Sequence, residues 1–504
     1  MRRALPSATT ALACALAVFA LSGCLLGPNY SRPPLDVPAT YRFPDNYAAD
    51  VANTEWWKQF DDPVLNDLIT TALANNNDVK VAAARVDQFL GQFVTTRAAL
   101  LPQINAGANA GRQRLSTSSS PLLANVTNPV FNTYEVALSA SWEIDLFGHN
   151  RRLTEAARAS LLSSEEAKRG TILTLVSSVA SSYINLRSLD RQLEIAKATT
   201  DSRADSVHVF ELRFQGGEVS QMELAQSQSE YEASRATIPQ IEAQIAQQED
   251  ALSVLLGRNP GDILRGRSLA ELAAPPVPAG LPSDLLERRP DLRQAEQDLI
   301  SANAQIGAAK ALYFPQISLT GLLGTQSGQF SKLFTGPARV WSFAGAVTQP
   351  IFTGGAITGQ VKQAEAVQQQ ALYSYRKAIQ VAFQEVDDAL ISSQKLREQF
   401  DVQGRQVDAL AMYAHLARLR YEGGYTSYIE VLDAERSLFN AQLSQTQTQA
   451  AVLVSYVNLY KAMGGGWVVD AEGLTTQAAQ AAPSAPSAPG DASRPANVPA
   501  QDVK

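Results

Sequence analysis

From Thr133 to Leu146 apolar and polar positions alternate without a break. Tyr134, Val136, Leu138, Ala140, Trp142, Ile144 and Leu146 share one face; Thr133, Glu135, Ala137, Ser139, Ser141, Glu143 and Asp145 share the other. Period two over such a length predicts a β-strand. It fits a strand with lipid on one side and water on the other, and equally an amphipathic hairpin on a water-soluble core. Upstream, after Pro102, Ile104, Ala106, Ala108 and Ala110 alternate in the same way, and a polar, Ser-rich loop from Leu115 to Pro129 joins the two stretches. A second pair comes later. Pro315 begins a strand with Ile317, Leu319 and Leu323, Gln326 to Arg339 is a polar loop, and Val340 to Phe352 returns with Trp341, Phe343 and Val347 on one face.

Between and after these pairs the period becomes helical. Asp62 is a candidate N-cap with Pro63 at the first helical position, opening a helix to about Leu100. A much longer helix is expected from Arg151 to Phe214, with a return from Met222 to Leu256. In the second half the expected helices are Leu285 to Leu312, Gly354-Gly355 onward to Tyr421, and Tyr428 to Met463. Helices of that length belong to coiled-coil-like or tubular assemblies rather than to ordinary globular cores.

The two halves repeat each other. Arg213-Phe214-Gln215-Gly216-Gly217-Glu218-Val219-Ser220-Gln221-Met222-Glu223 lies in register with Arg420-Tyr421-Glu422-Gly423-Gly424-Tyr425-Thr426-Ser427-Tyr428-Ile429-Glu430, at a separation of 424 − 217 = 207 residues. Each is a long helix ended by a Gly-Gly pair and followed by Ser-x-x-Glu, the pattern of a capping box. Each predicts a sharp turn between antiparallel helices. Gly257 and Gly464 are again 207 apart, and an internal duplication is the simplest account. The expected division is 1–23 a signal peptide, 24–61 an N-terminal segment, 62–257 the first repeat and 258–283 a connection. The second repeat is 284–466, and 467–504 is a C-terminal segment ending in an Ala/Pro/Ser-rich tail.

Composition narrows the class. Arg2 and Arg3 precede the apolar run Ala11 to Leu21, too short to span a bilayer, and Leu21-Ser22-Gly23-Cys24 follows. Small residues before a cysteine resemble a bacterial lipoprotein processing site, which would make Cys24 the lipidated first residue; Leu25 after it favours the outer membrane. Cys14 leaves with the signal, so no disulfide is available to the mature chain. Loss of Arg2 and Arg3 takes the formal charge from −7 to −9, which argues against nucleic acid as a partner. His149, His208 and His415 are scattered and no nucleophile or metal spacing is present, so no enzyme, cofactor or metal site is expected.

If the alternating strands face lipid, they cannot leave an open edge in it. The smallest single-chain barrels use about eight strands. Two pairs per chain do not suffice, so several chains must share one barrel, with cyclic symmetry. Both strands of each pair connect to helices on the same side, so the helices extend that barrel as a tube whose far end is formed by the Gly-Gly turns.

Several short strings share an order with a known family. They are Gly27-Pro28-Asn29-Tyr30 with Arg32-Pro33, Trp56-Trp57 with Asp62-Pro63, and Trp142-Glu143-Ile144-Asp145-Leu146-Phe147-Gly148. They continue with Leu281-Pro282-Ser283-Asp284-Leu285-Leu286-Glu287-Arg288-Arg289-Pro290-Asp291-Leu292, Phe314-Pro315-Gln316-Ile317-Ser318, Pro350-Ile351-Phe352, and Asn458-Leu459-Tyr460-Lys461 through Trp467. In this the chain resembles the outer-membrane factors, the TolC-like and more closely OprM/NodT-like lipoproteins of tripartite efflux systems. The resemblance implies an α+β membrane protein: a homotrimer whose twelve-stranded outer-membrane β-barrel continues into a periplasmic α-helical barrel, with a mixed α/β belt around it. It implies passive export of drugs or other small toxic molecules, with a periplasmic adaptor (membrane fusion) protein, an inner-membrane transporter of the resistance-nodulation-division type and outer-membrane lipid as partners. A duct for secreted peptides or proteins, and a structural coiled-coil lipoprotein, are the alternatives.

The family closes its tube where the turns converge, in a ring of acidic residues and hydrogen bonds. Carried onto this chain, the gate positions are Tyr421, Ile429, Glu430 and Asp433, with Glu223 on the first turn. Glu430 and Asp433 share one helix face, and several ionised carboxylates in a narrow ring need cations, neighbouring donors or raised pKa values. Glu223 and Glu430 fit a capping box as well as a gate, and Tyr421 fits helix packing. Asp433, whose first-repeat counterpart is Gln226, is favoured as the constriction residue. Thr426 stands where the family often has an arginine, so the closing network is expected to differ in detail.

Overall fold

A computed structural model describes residues 25–34, 38, 40–43, 55–114, 116, 130–276 and 285–464. Cys24, the signal segment, Leu281 to Asp284 and the chain from 465 onward lie outside the described residues.

A 3-10 turn, Trp56–Phe60, precedes helix α1, Pro63–Asn75. Asp62 starts α1 as expected: its Oδ1 accepts from Val64 N at 2.8 Å and Leu65 N at 3.4 Å. The single helix expected to Leu100 is in fact two. Asn76 takes an extended ψ, and its Oδ1 caps a second helix, α2 (Asn77–Ala98), accepting from Asp78 N at 2.8 Å and Val79 N at 3.1 Å. Strands β1 (Gln103–Arg114) and β2 (Val130–Ile144) follow. The alternation persists to Leu146, but the strand stops at Ile144, because Asp145 turns to accept from Arg151 N at 2.7 Å. Gly148 (φ 82°) then opens α3, His149–Gln215, and α4 spans Gln221–Leu255.

The second half repeats this with matching lengths. A one-turn helix, α5 (Leu285–Arg288), is separated by Arg289 from α6 (Pro290–Ala311), so the continuous helix expected there is broken, at the residue before a proline. Strand β3 is Gln316–Ser327, running slightly further than expected; β4 is Arg339–Thr348, ending short of Ile351 and Phe352. Helices α7 (Ala356–Glu422) and α8 (Tyr428–Ala462) close the repeat. Both long helices have 67 residues and both return helices 35. A duplication explains that identity directly.

The four strands form one antiparallel sheet in the order β1-β2-β3-β4. Its register builds continuous apolar rows, such as Ala106–Leu138–Leu323–Trp341 and Ile104–Ala140–Gly321–Phe343. The opposite face carries Asn105–Ser139–Leu322–Ser342 and Gln103–Ser141–Thr320–Ala344. No layer of the described residues covers the apolar face: Trp341 is 70% exposed and Phe343 80%. In water such a face would be untenable, and it matches a wall with lipid on one side. All helix-connected strand ends lie at one end of the sheet, since Ile144 pairs with Ile317 and Gln316 with Thr348.

The helices form a second curved layer. Near the sheet α3 packs on α2 and α6, and α7 on α6; further away α3 packs on α4 and α8, and α7 on α8. Helices α4 and α2 meet end to end, Asn76 Nδ2 donating to Leu255 O at 2.9 Å. Helices α8 and α6 meet likewise, Arg289 Nη1 donating to Ala462 O at 2.8 Å. Gly257 (φ 72°) is required at the first junction, where a Cβ would stand 2.3 Å from Asn75 O.

Around these junctions lies the main core. Trp56 stacks on Tyr460 at 5.4 Å, and Trp57, Phe60, Leu65, Ile69, Leu73, Val179, Tyr183 and Ile263 fill it. Buried Asp62 ties three segments: its Oδ2 accepts from Tyr183 Oη at 2.8 Å and Arg267 N at 3.0 Å, in addition to its capping bonds. The described residues of this belt are helix and irregular chain.

The N-terminal segment runs from the sheet end down α3 and α6. Leu25 lies against Gly148, and Arg152 donates to Leu26 O at 3.0 Å and to Asn29 Oδ1 at 2.8 Å. Asn303 Nδ2 holds Pro28 O at 2.9 Å, and Arg32 grips Glu296 with two bonds of 2.6 and 2.7 Å while Tyr30 Oη donates to the same carboxylate at 2.9 Å.

Candidate functional site at the paired helical turns

Each long helix ends in a Schellman motif. In the first repeat Glu218 N donates to Arg213 O at 2.9 Å and Gly217 N to Phe214 O at 3.0 Å. In the second, Tyr425 N donates to Arg420 O at 2.8 Å and Gly424 N to Tyr421 O at 2.9 Å. Only the second glycine of each pair takes the left-handed conformation, Gly217 at φ 75° and Gly424 at φ 74°. Gly216 and Gly423 stay right-handed.

Past the turns the repeats diverge. Ser220 and Glu223 form a full capping box: Glu223 N donates to Ser220 Oγ at 3.3 Å and Ser220 N to Glu223 Oε2 at 2.8 Å. Glu223 is thus committed to starting α4. Ser427 has the same backbone but makes no side-chain cap bond. Its partner Glu430 is drawn away, accepting from Arg420 Nη1 at 2.9 Å and from the Thr426 hydroxyl. The residue equivalent to Thr426 is Val219, which has no hydroxyl, and this difference explains why one glutamate caps and the other bridges. Thr426 does not supply the charged contact; Arg420 does.

Tyr421 belongs to an aromatic cluster. Its ring stacks on Phe210 at 6.1 Å and meets Tyr428 at 5.2 Å, and Phe210 and Tyr428 are 4.1 Å apart. Burial pushes the Tyr428 phenol above its ordinary value. Arg213, the counterpart of Arg420, donates to Tyr421 Oη at 3.4 Å and lies 5.9 Å from its ring centroid. Tyr421 therefore clamps α3 to the second turn. Ile429, by contrast, is 60% exposed.

Asp433 is one turn beyond Glu430 on α8 and pairs with Arg436 Nη2 at 2.8 Å. A third carboxylate of α8, Glu435, pairs with Arg418 of α7. Each of these three α8 carboxylates has its own arginine, so the start of α8 is laced with ion pairs rather than bare and acidic. Of the predicted residues the structure brings Tyr421 and Glu430 into one turn, leaves Asp433 and Ile429 exposed, and assigns Glu223 to its own helix start. Sequence reasoning missed Arg213, Arg418, Arg420, Glu435 and Phe210. Arg213 and Arg420 carried a readable signal, occupying one position in both repeats.

Exposed ion pairs contribute about 0–1 kcal/mol each and weaken with salt. Among the described residues no three His, Cys, Asp or Glu side chains converge to hold a metal ion, and no described helix is long and apolar enough to cross a membrane.

The comparisons agree with this geometry. A family profile described as "Outer membrane efflux protein" matches residues 68–258 and 281–465, the two repeats in turn. The probable efflux pump outer membrane protein TtgC of Pseudomonas putida is 37% identical over 464 residues, covering 90% of this chain and 95% of that one. The probable outer membrane lipoprotein SilC of Salmonella typhimurium is 36% identical over 459 residues, covering 90% and 97%. Crystal structures of CusC, a cation efflux system protein in Escherichia coli, superpose with a TM-score of 0.79 at 34% identity, covering 88% of this chain and 100% of that one. Duplicated repeats, a four-stranded sheet and paired helical turns are thus shared along nearly the whole length, and the chain belongs to the outer membrane efflux protein family.

Proposed function

We propose that this chain is the outer-membrane channel of a tripartite efflux pump, conducting drugs or other small toxic molecules passively to the exterior. The observation that carries this reading is the uncovered apolar face of the sheet, with open edges at β1 and β4. Both edges require partners, and so does the outer side of α7, where Met412, Leu416 and Leu419 form an exposed stripe at helical spacing. Three copies satisfy both layers at once, as a homotrimer with a twelve-stranded barrel. A periplasmic adaptor and an inner-membrane transporter of the resistance-nodulation-division type feed it from below.

Cys24 is the proposed lipid attachment point. Leu25, the first described residue, rests on Gly148, just past the end of β2, where sheet gives way to helix. Acyl chains attached there enter the leaflet directly. At the far end, Glu430, Asp433, Tyr421 and Ile429 form the gate, with Arg420 and Arg436 as donors that allow the carboxylates to crowd.

The test is accumulation of a fluorescent dye and several antibiotics in cells with and without the gene. Higher retention without it, reversed on complementation, supports the reading; equal retention in a strain lacking every other such channel overturns it.

A further inference from the structure

The lipid-facing side of the sheet is not uniform along its height. By register its helix-proximal rows are apolar, but the far end of β1 carries Arg112 and Arg114, and the start of β4, level with Ala108 of β1, carries Arg339. Arg112 and Arg114 follow Ile104, Ala106, Ala108 and Ala110 at period two, and Arg339 continues the row Ala108–Val136–Thr325. Lys332, in the turn between β3 and β4, joins them. Its neighbour Phe330 packs edge-on against Tyr134 at 5.5 Å, and Tyr134 lies on the apolar face, so this turn folds over the lipid side. Phe330 and Phe334 are both largely exposed there.

All four cations are exposed, and none forms an ion pair among the described residues. The strand carboxylates, Glu135 and Glu143, fall on the opposite face, beside Asn109 and Ser318. A chain with formal charge −7 therefore carries only cations among the described charged residues of this face, backed by aromatic residues, in the part of the sheet away from the helices. In the outer-membrane reading, on which this inference rests, that part lies in the outer leaflet.

We propose that Arg112, Arg114, Lys332 and Arg339 bind the phosphate groups of anionic glycolipid in that leaflet. The exposed phenylalanines of the β3–β4 turn seat among the adjoining acyl chains. Guanidinium groups meet phosphate oxygens in charge-assisted, bidentate geometry, and the apolar rows below continue the contact into the hydrocarbon. Because the cations are covalently part of the barrel, the contact persists when divalent ions that otherwise bridge lipid phosphates are removed.

The experiment uses the full-length, detergent-solubilised protein and bis-phosphorylated lipid A as probe, with binding read by native mass spectrometry and by thermal shift. Dephosphorylated lipid A and phosphatidylethanolamine serve as controls, and each titration is run with and without EDTA. The wild-type protein is expected to bind the bis-phosphorylated lipid in preference to both controls, in EDTA as well. The variant R112Q/R114Q/K332Q/R339Q should bind it roughly ten-fold or more weakly, and the charge-keeping variant R112K/R114K/R339K should fall between the two, keeping the charge and losing the bidentate contacts. Heat-modifiable migration of each variant reports barrel assembly separately. A wild-type protein that never inserts as a barrel would defeat the membrane reading. An assembled glutamine variant that binds like the wild type, or a wild type indifferent to phosphate, would overturn this proposal alone.

Discussion

Arg420 Nη1 reaches across the Gly423-Gly424 turn to Glu430 Oε1 at 2.9 Å, joining the last turn of α7 to the first turn of α8. The first repeat has the same two residue types at Arg213 and Glu223 and joins neither to the other. One duplicated turn is thus a plain helix start and its twin an ion-paired clasp. Replacing Arg420 with Ala should loosen the second turn selectively. With both groups part exposed, the loss is about 0.5–1 kcal/mol per chain, a several-fold shift toward the open state. Single-channel conductance in planar bilayers measures it, and the effect should shrink in high salt.

Asp433→Ala separates two roles. Its partner Arg436 lies on the same helix and both are more than half exposed, so thermal stability should change by less than about 0.5 kcal/mol. If three Asp433 side chains line the constriction, conductance rises and cation preference falls while stability holds. Unchanged conductance and selectivity would remove Asp433 from the gate and leave Glu430 as the acidic residue of interest.

Asp62→Ala should be the most destabilising of these changes. It removes an N-cap and leaves Tyr183 Oη and Arg267 N without their acceptor in a buried setting. Losing the cap costs about 1 kcal/mol and each orphaned donor about 1–3 kcal/mol. Loss of heat-resistant assembly, or a large fall in melting temperature, is the expected result.

Acid should release the N-terminal segment. Burial alone would raise the Glu296 carboxyl, but the hydrogen bonds from Arg32 and Tyr30 and the charge of Arg32 outweigh it and hold the group below the usual carboxylate range. A carboxyl lowered by folding contributes fully above its unfolded value and loses that contribution as pH falls through the lowered one. Protection factors of residues 25–34, exchange rates divided by the intrinsic rate at each pH, should therefore stay constant near neutrality and fall below about pH 4. Glu296→Gln should give the acid behaviour at pH 7, with a docking loss of about 1.5 kcal/mol, near ten-fold.

The strands, the repeat and both turns were legible because each rests on local chemistry: period-two apolar positions, Gly-Gly ends and a serine start. Helix breaks at Asn76 and Arg289 were not. Asn75-Asn76-Asn77 reads as tolerable helix, and Asn76 is turned out of it partly by Leu255 O, 179 residues away. Arg289 is held by Ala462 O and by Glu385, again from distant helices. The proposed gate residues split along the same line. Ser220 with Glu223 behaves as the motif dictates, whereas Ser427 with Glu430 does not, since Arg420 and Thr426 compete for the carboxylate. A capping box is a local offer, and a nearby cation can outbid it.

The end-to-end meetings of α4 with α2 and of α8 with α6 have a mechanical consequence. Only α3 and α7 pass the belt unbroken, each about 100 Å long at the usual rise per residue. Twisting or bending applied at the turns travels to the sheet along those two rods. The other two lines are jointed where Asn76 holds Leu255 and Arg289 holds Ala462. The assembled wall is therefore a shaft with whole and spliced staves in alternation. Its compliance is concentrated in one plane, at mid-height, well away from the bilayer it pierces.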